Sequence, residues 1–80
     1  MNCTYIPAMP DGTFLKHCGC RKFRSAKRKL VKEVAYLPHD SWQAIYESGY
    51  RIYKIITRND NEIHSIGECN KRGEIKVEIL

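Results

Sequence analysis

Between Arg21 and Leu37 the apolar residues Phe23, Ala26, Leu30, Val34 and Leu37 recur at spacings of three and four. That is the period of a helix with one buried stripe; on a wheel of 100° per residue the five fall within an arc of about 80°. The opposite side collects Arg21, Arg24, Arg28 and Lys32, with Lys22 and Lys29 flanking the row. Such a helix needs an apolar surface to cover its stripe, and whatever covers the stripe leaves the cations facing water. The spacing predicts a helix over residues 21–36, ended by Pro38 because the residue before a proline is pushed out of the α region.

The covering surface is readable further along, where the period changes from about 3.6 to two. Residues 50–58 and 62–69 are rich in Ile, and residues 74–80 alternate Ile75, Val77 and Ile79 with Lys76 and Glu78. These segments predict three antiparallel strands. Asn59-Asp60-Asn61 joins the first two, and Asn70-Lys71-Arg72-Gly73 joins the last two with glycine at a left-handed position. A short second helix is predicted at about residues 40–48, capped by Asp40 or Ser41, with Trp42, Ile45 and Tyr46 on one face and Gly49 as its stop. At the start of the chain, residues 2–6 read as a strand. Pro10-Asp11-Gly12 forms a turn, and Thr13 to Cys18 forms the return arm of a hairpin. The expectation is one α+β domain over residues 1–80: an N-terminal β-hairpin and two helices packed on a three-stranded antiparallel meander. The predicted core is Phe23, Leu30, Val34, Trp42, Ile45 and the Ile-rich strand faces.

Charge matters here by position. Residues 16–32 hold eight of the fourteen Lys and Arg residues and no acidic residue, so the rest of the chain is net negative although the whole is +5. Surface helices ordinarily mix signs, because like charges at i,i+4 cost a few tenths of a kcal/mol per pair. A one-sign face points to a negatively charged partner. No apolar run approaches the roughly 18–20 residues needed to span a bilayer. The first dozen residues lack the basic start and apolar core of a signal peptide, so a reducing cytoplasm without structural disulfides is expected.

Other chemistry is thinner. Cys3, Cys18, Cys20 and Cys69, with His17 as a substitute ligand, are the right residue types for a tetrahedral zinc site. The passage MPDGTFLKHCGC resembles part of a zinc ribbon around its Asp-Gly turn, but the paired C-x-x-C knuckles are missing. Plain reduced thiols and no cofactor are therefore expected. His64 and Glu62 alternate onto one strand face and have the make-up of a ribonuclease acid–base couple, although a surface ion pair is the commoner use of such a pair. Tyr36, Trp42, Tyr46, Tyr50 and Tyr53 could stack bases if exposed on a sheet face, but at this spacing they are expected mainly in the core, with Tyr53 the most exposed. The chain has no nucleophile–base arrangement and no glycine-rich phosphate loop, and it reads as a binder rather than an enzyme.

The expected function is nucleic-acid binding, RNA or DNA, through phosphate contacts by Arg21, Lys22, Arg24, Arg28, Lys29 and Lys32, with Lys16 and Lys27 at the margins. The alternative is a small inhibitor or adaptor. It would hold a larger protein or a nucleoprotein complex, such as a nuclease with its guide, through the basic helix and exposed aromatics.

Overall fold

The structure is a computed structural model that describes residues 2–34, 41–59 and 62–79. Its elements are β1 (Asn2–Ala8), a single 3-10 turn (Lys16–Cys18), α1 (Phe23–Glu33), α2 (Trp42–Glu47), β2 (Arg51–Asn59), β3 (Glu62–Cys69) and β4 (Ile75–Ile79). The four strands form one antiparallel sheet in the order β1-β2-β3-β4. The predicted α+β class, both helices and the three C-terminal strands are present. Tyr36, Leu37, Pro38, the alternative cap Asp40 and the Asp60-Asn61 tip lie outside the described residues.

The N-terminal hairpin is corrected. Its turn forms as expected: Gly12 N–H donates to Met9 O, and Thr13 N–H donates to Asp11 Oδ1 at 2.9 Å. The return arm, however, keeps only one bridge, Ala8 to Phe14, before the chain coils into the 3-10 turn and meets β1 again at Cys20. β1 instead pairs along its whole length with β2, from Asn2 opposite Thr57 to Ala8 opposite Arg51. It therefore also runs two residues beyond its predicted end, through Pro7. Tyr5 exchanges both backbone hydrogen bonds with Cys20, so its peptide groups face the outer edge. Pro7, two residues on, faces the same way, and its carbonyl accepts from Leu15 N–H. The N–H that proline lacks would have pointed away from β2, so the ladder loses nothing. The loop between β1 and α1 also covers an edge that would otherwise invite pairing with another chain.

The helices cover one face of the sheet. Ala26, Leu30 and Val34 of α1 and Ile45 of α2 are buried against Ile52 and Cys69, with Tyr5, Phe23, Trp42 and Ile75 packed around them. This is the predicted stripe meeting the predicted strands. Ser41 caps α2 by accepting from Ala44 N–H, and Gly49 ends it at φ +108°. Arg51 ties the end of α2 to the sheet. Its Nη1 donates to the Tyr46 and Tyr50 carbonyls at 2.6 and 2.8 Å, its Nε donates to Glu68 Oε1 at 2.9 Å, and its guanidinium lies 3.8 Å from the Tyr46 ring.

The β3–β4 turn carries the N-terminal end of the helical layer. Asn70 Oδ1 accepts from the N–H groups of Arg72 and Glu74. Gly73 sits at φ +87°, and a Cβ there would stand 3.3 Å from Phe23. Glycine is required for the backbone angle, and any Cβ would also crowd the Phe23 ring. Gly73→Ala is expected to destabilise the fold by roughly 2 kcal/mol. The measurement is a lowered urea midpoint with an unchanged slope.

Candidate nucleic-acid interface

The helix that presents the cations is built with its outward side unrelieved. Arg24, Arg28, Lys29 and Lys32 are exposed on α1, and Arg21 and Lys22 are exposed just before it. Lys22 occupies the N-cap with extended backbone, no side chain caps that end, and the first turn holds no acidic residue. Cations at the positive end of a helix dipole oppose it, at roughly 0.3–1 kcal/mol each. Among the described residues none of these cations has an acidic partner, since the two ion pairs there are His17–Glu33 and Arg51–Glu68.

The structure gathers some of the eight predicted cations and separates others. Arg24, Lys27, Arg28 and Lys32 come together around an open groove of about 530 Å³, whose remaining lining is Val31 and Trp42. Lys27 also places its ammonium 6.0 Å from the Phe23 ring. Lys29 lies on the other flank of α1, near enough to the Cys18 thiol for its charge to act on it. Lys16 is on the 3-10 turn, which packs against α1.

Val31 was not read as a site residue, and Trp42 was weighed for base stacking only among the aromatics and assigned to the core. Trp42 looked like core, and it is half so: its ring meets Phe23 edge-on at 6.2 Å and Tyr46 at 5.8 Å, and its Nε1 donates to Lys71 O at 2.9 Å. Its remaining surface walls the groove. The available signal was Val31, an apolar residue among the cations and off the buried stripe.

The other candidate chemistries do not assemble as predicted. The four cysteines are free and do not converge. Cys3 and Cys69 lie on β1 and β3 with β2 between them, and Cys18 and Cys20 flank Gly19 at the β1 edge. The set of Cys3, Cys18, Cys20 and Cys69 is thus no zinc site. Among the described residues the group that does come together is His17, Cys18 and Glu33, with ligand atoms within 4.8 Å of one another. His17 Nε2 stands 3.0 Å from Glu33 Oε1, a distance that a hydrogen bond between two exposed side chains explains. The Glu62–His64 couple is also undone. Ile56 pairs with Ser65 and Thr57 with Ile63, so His64 is the extra residue of a bulge. A bulge breaks the alternation on which the shared face depended.

The sheet face away from the helices carries Ile6, Tyr53, Ile55 and Ile66, which the pairing register aligns across β1, β2 and β3. Phe14 packs edge-on to Tyr53 at 5.5 Å, and Phe14 and Ile63 are exposed. A shallow depression of about 240 Å³ lies beside Tyr53 and Ile66, lined also by Glu68 and Lys76. Tyr53, expected to be the most exposed of the aromatics, is half-buried here.

Compared with protein-family profiles, curated protein sequences and solved structures, the chain matches none.

Burial pushes the Cys69 thiol up from its ordinary 9.0 to about 11, and Cys18 is raised for the same reason with help from Glu33. A raised folded-state pKa contributes stability below the unfolded value and loses it as pH rises through the folded one. Stability is therefore expected to fall between pH 9 and 11. The thermal midpoints of wild type and Cys69→Ala should converge over that interval.

Proposed function

We propose that this protein binds nucleic acid through the cationic side of α1, without catalysis. The observation that carries the reading is the convergence of Arg24, Lys27, Arg28 and Lys32 on one groove with no acidic partner among the described residues. Each of these cations sits a turn or less from the next, so each raises the free energy of its neighbours. A phosphate chain laid along the row relieves that repulsion and releases its condensed counterions. The uncapped, cationic start of α1 adds a further place where negative charge is favoured. Such binding would be regulatory. Among the described residues no helix is long and apolar enough to cross a membrane.

Charge reversal at two groove positions, Arg24→Glu with Arg28→Glu, is expected to abolish binding while leaving the circular dichroism unchanged, since both side chains are exposed. Four engaged cations predict a slope of roughly −3 for log affinity against log salt, a loss of about 50-fold between 50 and 200 mM. Fluorescence anisotropy with labelled oligonucleotides measures both. A slope near zero, or no binding at low salt, removes the reading.

A second reading, in which the protein holds a larger protein or a nucleoprotein complex, is favoured by the sheet face away from the helices, which the described residues leave half-exposed. Ile6, Tyr53, Ile55 and Ile66 form a continuous apolar strip there, with Phe14 at its margin. Under that reading one protein partner should co-purify in fixed ratio and survive nuclease treatment. Under the first, nuclease should strip whatever comes with the chain.

A further inference from the structure

The groove is more specific than a row of charges, and we infer that it takes an unpaired base: its ligand is single-stranded nucleic acid, with a base against Trp42 and Val31 and the flanking phosphates on Arg24, Arg28 and Lys32. This rests on the reading just given and narrows it.

Three features separate a single strand from a duplex. The first is the lining. Four cations form the rim, and the two remaining residues, Val31 and Trp42, offer apolar surface. The backbone of a duplex presents phosphate and sugar and would leave that surface in contact with water. A single strand presents a charged chain and flat apolar faces together, which is the same pairing of chemistries.

The second feature is the setting of α1. A helix enters a major groove by a face that projects beyond its neighbours. α1 is flanked by α2 on one side and by the 3-10 turn on the other, with the sheet beneath. Trp42 of α2 borders the cation row, so a ligand lying along the row meets the indole as well.

The third feature is the state of the indole. Its N–H donates to Lys71 O, and its ring is fixed between Phe23 and Tyr46. Trp42 therefore offers a ligand carbon and π surface, but no hydrogen-bond donor. Contact of that kind is blind to base identity, so the binding should tolerate any sequence. Arg24 and Arg28 reinforce it, because a guanidinium can stack on a base plane while its edge holds a phosphate. An indole already locked in place loses little freedom when a base arrives.

Trp42 is the one tryptophan of the chain, so its emission reports on this groove alone. The experiment titrates wild-type protein at 50 mM salt with four probes: 12-nucleotide oligo-dT, oligo-rU of the same length, a blunt DNA duplex, and an abasic DNA strand of equal length. Anisotropy of a labelled strand and Trp42 emission are read together. Both single strands should bind at least 10-fold more tightly than the duplex and quench Trp42 by more than half. The abasic strand should bind about 10-fold more weakly than oligo-dT and leave the emission unchanged, since one stacked base contributes roughly that factor. A difference between oligo-dT and oligo-rU tells DNA from RNA as the preferred strand. Equal or tighter binding of the duplex, or single-strand binding without quenching, overturns the groove assignment and leaves the basic-face reading intact. No binding to any of the four overturns both. A Val31→Glu variant, changed at a half-buried helix position, should lose at least 10-fold for oligo-dT at unchanged helicity; retained affinity counts against the groove.

Discussion

Everything in this molecule hangs from a chain of four rings. Tyr5 of β1 meets Phe23 of α1 edge-on at 6.1 Å, Phe23 meets Trp42, and Trp42 meets Tyr46 of α2. The chain runs from the sheet through the start of one helix into the other. Edge-to-face contacts of this kind contribute about 0.5–1.5 kcal/mol each beyond the area they bury, and they are directional. They hold Phe23 inward on the same side of α1 as Ala26, Leu30 and Val34, in agreement with the buried stripe, and Arg24, Arg28 and Lys32 are left outside. The β3–β4 turn anchors the same chain at two points, through the Lys71 carbonyl on the indole N–H and the close approach of Gly73 to Phe23.

A core this small has little to spare for repulsion. Among the described residues the fully buried ones number only a few, led by Leu30, Ile45 and Ile52. Domains of this length bury a modest share of their surface and hold only a small margin of stability. Against that margin stand an uncapped helix start, cations at the wrong end of its dipole and a row without an acidic partner among the described residues. Each cost is a few tenths to about 1 kcal/mol. Together they are costs that a negative charge placed along this surface would relieve. The Arg51 clamp shows the contrast: there a cation has a carboxylate, two carbonyls and a ring, and it stabilises the fold.

Much of this was legible in the residue order, for local reasons. The α1 stripe, the Ser41 cap, the stop at Gly49 and the Gly73 turn follow from periodicity and from the backbone freedom of single residues. They hold whatever else the chain does. The misreadings are all long-range. Thr13–Cys18 alternates well enough for a strand, yet β1 gains more by pairing with β2 along its full length, some fifty residues away in sequence. His64 seemed to share a face with Glu62 because alternation was assumed unbroken, and a bulge depends on the partner strand's register. The cysteines looked like a ligand set only while the strands that separate them were unplaced.

The amino-acid sequence by itself determined that this chain makes one amphipathic helix with an apolar stripe and a cationic back, followed by strands able to receive the stripe. Spacing and charge along a helix need no knowledge of the rest. Only the tertiary structure decided which cations act together. Side chains at equal helical spacing become one site or two according to what packs on each flank. Here Trp42 gathers Arg24, Lys27, Arg28 and Lys32 on one side, while the 3-10 turn draws Lys29 toward Cys18 on the other. That division comes from close packing between segments distant in sequence, and no reading of local pattern contains it.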